Sequence, residues 1–159
     1  MAKKANSGRQ TAKYRVFISY ATEDRDIVKL IRDQIDSIGV DVVLDCQIIE
    51  SGDSISARLQ KALRTCNELL LYYSDSTKDK VWVHLEVGAA WVQKKRITVI
   101  ARGQSLDPGR DWGMAWLSDL KYVSLNDFQE SFLADLKLRA SKRRSKNTSV
   151  LRRASGAKK

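Results

Sequence analysis

Five short apolar, β-rich runs alternate along this chain with segments whose apolar residues recur at helical spacing. No other feature restricts the fold as much. Arg15 to Tyr20 is apolar on both sides, as a strand buried on both faces requires. Ile27, Ile31, Ile35 and Ile38, joined by Val28 and Leu30, mark one face of a helix that Gly39 closes. Val40 to Asp45 reads as a second strand. Ile55, Leu59, Ala62, Leu63 and Cys66 then give a second helix, with Asp53 or Ser54 placed to cap it. Leu69 to Ser74 is a third strand, Val81 to Lys94 a third helix and Arg96 to Ala101 a fourth strand. From Arg102 to Trp116 the chain holds its one proline, Pro108, with Gly103, Gly109 and Gly113, and reads as a loop. Lys121 to Ser124 is a fifth strand, and Asn126 caps a last helix faced by Phe128, Phe132, Leu133 and Leu136. Strands alternating with helices predict one α/β domain, its parallel sheet covered on both faces through right-handed crossovers.

Charge sets the limits of that domain. The formal net charge of +10 suggests a nucleic-acid partner until it is mapped. Residues 1–13 carry Lys3, Lys4, Arg9 and Lys13 with no acid, and residues 141–159 carry eight basic residues with no acid. All 19 Asp and Glu therefore lie in residues 14–140, against 17 Lys and Arg, so the folded part is slightly acidic. Both tails read as disordered, which makes nucleic-acid contact by them a secondary expectation. Cys46 and Cys66 have no metal-ligand spacing and only one His to help them, which predicts no metal site and no disulfide framework. The basic N-terminus has no apolar stretch behind it, and no segment approaches a membrane span, so the expected location is the cytoplasm.

In open α/β sheets, ligands bind outside the carboxyl ends of the strands. Four connections lie on that edge: Tyr20 to Arg25, Asp45 to Asp53, Ser74 to Val81, and Arg102 to Trp116. Polar residues crowd there, among them Ser19, Asp24, Asp45, Glu50, Asp53 and Ser74. Trp82 and Glu86 fall at the start of the third helix, four residues apart, where a ring and a carboxylate share a face. Such a pair suits holding a flat cationic ring beside a sugar whose bond to it is to be broken. There is no G-x-G-x-x-G and no G-x-x-x-x-G-K-[ST], so neither dinucleotide fingerprint nor phosphate loop is present. The single histidine, His84, stands two residues before Glu86 on the helix and so points away from it, which disfavours a Ser–His–Asp system.

Three blocks in order resemble the Toll/interleukin-1 receptor (TIR) domain family, particularly its bacterial members, over roughly residues 14–125. They are Val16-Phe17-Ile18-Ser19-Tyr20 with Glu23-Asp24; Val43-Leu44-Asp45 followed by Ile49-Glu50-Ser51-Gly52-Asp53-Ser54-Ile55; and Ser74 with the W-x-x-x-E pattern of Trp82 and Glu86. The resemblance implies a flavodoxin-like three-layer sandwich with strand order 2-1-3-4-5. For catalytic members it implies cleavage of NAD, as substrate and with no cofactor, at the nicotinamide–ribose bond. The products are ADP-ribose or a cyclised ADP-ribose used as a messenger in bacterial anti-phage defence. Glu86 is then the catalytic residue, with Ser19, Tyr20, Asp45, Ser74 and Trp82 binding substrate. Ile49, Glu50, Gly52 and Asp53, in the family's "BB loop", would carry TIR–TIR self-association, and a separate sensor or effector protein is the expected partner. Two alternatives stay open: a non-catalytic TIR adaptor, and a related sheet enzyme of the nucleoside deoxyribosyltransferase kind. The chain departs from some catalytic relatives in having Ala21-Thr22 where they are basic, and Ser54-Ile55 where they place an aromatic.

Overall fold

The computed structural model describes residues 13–44, 55–103 and 107–156. Asp45, Ile49, Glu50, Gly52 and Asp53, the expected cap of the second helix and residues 1–12 lie outside the described residues. Five strands, β1 (Arg15–Ser19), β2 (Asp41–Leu44), β3 (Glu68–Tyr73), β4 (Arg96–Ala101) and β5 (Lys121–Ser124), form one parallel sheet of order β2-β1-β3-β4-β5. The helices are α1 (Arg25–Ser37), α2 (Ile55–Thr65), α3 (Val81–Val92), the short α4 (Pro108–Asp111) and α5 (Leu133–Gly156).

Because side chains alternate across a strand, the central strands feed two cores. Val16, Ile18, Tyr20, Leu70, Tyr72 and Ile100 pack with α1 and the start of the last helix, through Val28, Ile31, Ile35, Phe128, Phe132 and Leu136. Phe17, Leu69, Leu71, Tyr73, Ile97 and Val99 pack with α2 and α3, through Leu63, Val83, Val87 and Ala90. All six residues of β3 are buried, which is why its sequence reads as one apolar run rather than an alternation. Gly39, at φ 78°, closes α1 from the left-handed region that glycine occupies without strain.

The structure corrects four expectations. The loop from Arg102 contains α4, started by Pro108 at its first turn and by Asp107, whose carboxylate accepts from the Gly109 and Arg110 amides. Asn126 does not cap the last helix. Ser124 Oγ and Asp127 bond each other there instead, at 2.6 and 3.1 Å, and Phe128–Phe132 forms a π-helical turn ahead of α5. Trp91 is not a core residue: it is half-exposed and stacks on Trp116 with ring centroids 5.0 Å apart. Finally, the chain does not lose order after Ala140; α5 continues to Gly156. Residues 133–155 hold no proline or glycine and are rich in Ala, Leu, Lys and Arg, whose backbone preference is helical; the residues packed on the core, Leu133, Leu136 and Ala140, lie at the start of the stretch.

At the amino edge of the sheet, Glu68 is buried and receives the Arg139 guanidinium in a two-pronged contact at 3.0 and 3.1 Å. Tyr14 adds a hydroxyl donor to the same carboxylate at 3.2 Å. This clamp ties α5 to β3.

Burial pushes the Cys66 thiol up to about 11, against the Arg15 and Lys95 charges that pull it down. At pH 8 its thiolate fraction is then about a hundredfold below that of an unperturbed cysteine. In a Cys46→Ser variant we expect alkylation of Cys66 to be slowed by at least that factor and to follow global opening. Reaction at the rate of a free thiol refutes this. The shift also has a sign for stability: its contribution is complete below the unfolded thiol's pKa and is lost as pH climbs towards 11. Among the described residues no helix is long and apolar enough to cross a membrane.

Candidate active site

The carboxyl ends of β1, β3 and β4 deliver Ser19, Ser74 and Arg102 to one edge of the sheet. α3 starts from the same edge and lays Val83, Val87 and Ala90 on the sheet. Glu86 falls on that inward stripe, three residues from Val83 and four from Ala90, so its carboxylate is drawn in with them and is 1% exposed. A buried carboxylate needs hydrogen-bond donors to stay there. Ser19 Oγ donates to Glu86 Oε2 at 2.5 Å, across 67 residues of sequence. The acid is therefore fixed in place by the last residue of β1 before any ligand arrives.

A second buried carboxylate, Asp24, belongs to the same edge of the sheet. Asp24, in the 3₁₀ turn after β1, accepts from Ser74 Oγ at 2.5 Å and pairs with Arg102 Nη1 at 3.7 Å. Ser74 is held in turn by Thr77, whose Oγ1 accepts from the Ser74 amide at 3.0 Å. Asp24 thus joins the turn after β1 to the residues that follow β3 and β4. Sequence reasoning places Asp24 in the polar edge but gives neither it nor Arg102 a role. The available signals are slight: an acid pair just beyond the first strand, and a cation as the first residue past the fourth.

Of the residues expected to bind substrate, Ser19 and Ser74 are on the edge, each with its hydroxyl on a carboxylate. Tyr20 is not presented there; it is buried in the core layer with Val28 and Ile31. Trp82 and Glu86 do not share an environment although they are one turn apart. Trp82 is 39% exposed on the flank of α3, with Lys80 Nζ 5.2 Å from its ring centroid. Lys80 also pairs with Glu23 at 2.5 Å, so the Trp82 ring, a lysine and a glutamate form the outer rim of the edge. A helix wheel puts residues four apart within about 40° of each other. That is enough, at the boundary of a buried stripe, to place one inside and the other outside.

His84 packs its ring on Trp112, centroids 4.2 Å apart, with Nε2 3.0 Å from the Lys78 carbonyl oxygen. Trp112 also meets Tyr73 edge-on and donates its indole N–H to Lys78 O at 3.0 Å, so it braces the loop between β3 and α3. Beside it, Asp111 accepts from the Tyr73 hydroxyl at 2.9 Å. Burial works against ionisation of Asp111, but Tyr73, Lys78 and Arg110 outweigh it and hold the carboxyl below the usual carboxylate range. Among the described residues no group of three or more His, Cys, Asp or Glu is arranged to hold a metal ion.

A family model for the TIR domain matches residues 16–137, from the second residue of β1 into α5. The chain belongs to the TIR domain family. Among characterised proteins, the NAD(+) hydrolase TcpC of Escherichia coli O6:H1 is 33% identical over 75 residues, which are 46% of this chain and 24% of TcpC. The chain therefore matches about a quarter of the length of that relative. The TIR domain of the Toll-related receptor TRR-2 from Hydra magnipapillata superposes with a TM-score of 0.64 at 16% identity, covering 79% of this chain and 97% of the other. The TIR domains of the activated Roq1 resistosome, which recognises the pathogen effector XopQ, give 0.56 at 15%, covering 81% and 98%. These two superpositions fix the fold: a TIR sheet of order 2-1-3-4-5.

Proposed function

We propose that this TIR domain cleaves NAD at the nicotinamide–ribose bond, with Glu86 as the catalytic carboxylate. The observation that carries the reading is the buried Glu86, locked by Ser19 at the carboxyl edge of the sheet. Nicotinamide in NAD is a pyridinium, so when the C–N bond breaks the electron pair returns to the ring nitrogen and a neutral base departs. No general acid is required, which suits a site whose only histidine is engaged with Trp112 and Lys78. Positive charge develops instead on the ribose, and a preorganised carboxylate opposes it. Water then adds to the ribose carbon and loses a proton to give ADP-ribose, or a nucleophile of the same molecule closes a ring. The product serves as a signal, or the loss of NAD itself acts, in bacterial defence. Support from relatives is of the same kind: TcpC, which matches part of this chain, is an NAD(+) hydrolase. Ser74 and Trp82 are assigned to the walls of the site, Ser74 through Asp24 and Trp82 at the rim.

The test is nicotinamide release from NAD by concentrated purified protein, with and without a crowding agent to drive assembly. Release above a heat-denatured control supports the reading. No turnover under either condition sinks it. Chromatography of the product against linear ADP-ribose separates hydrolase from cyclase.

One observation favours an assembly role alongside or in place of chemistry. α3 is apolar on its outer face too, with Val81 and Leu85 exposed and Val92 73% exposed. A helix that is hydrophobic all round is seldom left in water. We expect concentration-dependent association in sedimentation equilibrium, reduced by Leu85→Asp. A wild type that remains monomeric at high concentration removes the association reading, and a protein that associates without releasing nicotinamide is a scaffold.

A further inference from the structure

On the same edge of the sheet as Glu86, the carboxyl ends of β4 and β5 line a cavity of about 550 Å³. That volume lies within the usual range for small-molecule sites. Its lining includes Arg102, Gly103, Tyr122, Ser124 and Asn126, and Arg102 is the one charged residue among those described there. Arg102 brings a guanidinium to the hollow, with an aromatic ring, a hydroxyl and an amide around it; Asp24 pairs with that guanidinium, Asp107 accepts from the Tyr122 hydroxyl and Asp127 from the Ser124 hydroxyl. Arg102 is placed by the backbone: its amide donates to Tyr73 O at 2.8 Å, extending the β3–β4 ladder one residue past the end of β4. Its guanidinium reaches back to Asp24 at 3.7 Å, with most of the side chain in solvent. Near Asp24 and Arg102, the Tyr72 hydroxyl is buried with no hydrogen-bond partner among the described residues. Adjacent strands are about 4.8 Å apart, so the ends of β1 and β5, three strands along the sheet, stand roughly 14 Å from each other.

We propose that this cavity is the subsite for the phosphate-bearing half of the substrate, with Arg102 as the residue that contacts the diphosphate. The inference rests on NAD cleavage for the identity of the ligand. It assigns the nicotinamide riboside end to Glu86 and the ADP end to β4 and β5, which gives the edge a direction. Arginine suits the task because its planar fork of donors matches phosphate oxygens in a two-pronged contact.

The experiment measures binding of ADP-ribose by calorimetry to the wild type, Arg102→Gln and Lys121→Gln. Lys121 begins β5 at the opposite edge of the sheet, so its variant makes the same change in net charge away from the cavity. We expect ADP-ribose affinity to fall about tenfold or more in Arg102→Gln, as for loss of a hydrogen bond to a charged group, and to stay within about twofold in Lys121→Gln. Adenosine, which lacks phosphate, is expected to bind more weakly than ADP-ribose and equally to wild type and Arg102→Gln. Equal ADP-ribose affinity in wild type and Arg102→Gln overturns the proposal, as does an equal loss in both variants or no ADP-ribose binding to the wild type. Binding requires no turnover. Arg102-dependent binding by a protein that releases no nicotinamide overturns the cleavage reading alone, and cleavage with Arg102-independent binding overturns the subsite alone.

Discussion

Glu86→Gln is expected to lower kcat for nicotinamide release by about 10²–10³-fold, the range found when one preorganised electrostatic contact to a transition state is removed. Gln keeps the volume and planar shape of Glu, so the inward stripe of α3 with Val83, Val87 and Ala90 stays packed. The amide can still meet the Ser19 hydroxyl. In the proposed mechanism what disappears is the negative charge beside the ribose, which would act more strongly in the transition state than in bound NAD. The effect should therefore fall on kcat and leave KM nearly unchanged. Ser19→Ala removes the donor at 2.5 Å while leaving the charge, and a loss of about tenfold is expected from it. Circular dichroism and urea midpoints check that both variants fold. A folded Glu86→Gln protein with wild-type kcat removes Glu86 from the mechanism.

The second large effect is on stability. Arg139→Met leaves the Glu68 carboxylate buried with its two-pronged partner gone. Removing one member of a buried pair typically costs 3–5 kcal/mol, because the remaining charge is stranded. Arg96, 4.0 Å away, and the Tyr14 hydroxyl soften the loss, so we expect about 3 kcal/mol. Urea denaturation should show a lower midpoint at unchanged slope. Adding Glu68→Gln to Arg139→Met should recover part of the stability, since the stranded charge is then gone. A single variant within about 0.5 kcal/mol of the wild type, the spread of ordinary surface changes, means that the clamp is ornamental.

How far the sequence discloses the molecule depends on the range of each interaction. β4 and β5 appear at the positions expected from residue pattern, Arg96–Ala101 and Lys121–Ser124. Burial on both faces leaves a local signature there. α5 past Ala140 was hidden for the opposite reason: its sequence carries no apolar period to read, although the backbone preference suffices. The site is legible as a set of residues on one edge but not as a set of contacts. Ser19 and Glu86 are 67 residues apart, Ser74 and Asp24 are 50 apart, and only the assembled sheet brings each pair together. The same holds for Trp82. Its spacing from Glu86 puts both on one side of α3, and only the packed helix decides which of them lies inside.

The hydrogen bond between Ser19 and Glu86 also bears on when the candidate site forms during synthesis. It joins the first strand to the third helix, and β1 lies between β2 and β3. The Glu86 carboxylate cannot be enclosed until β1 and β3 have paired and α3 has docked on them, all contacts of long sequence separation and so late to form. A fragment ending within β3 holds Ser19 without Glu86 and cannot form the contact. The proposed chemistry would thereby be withheld until the sheet is complete.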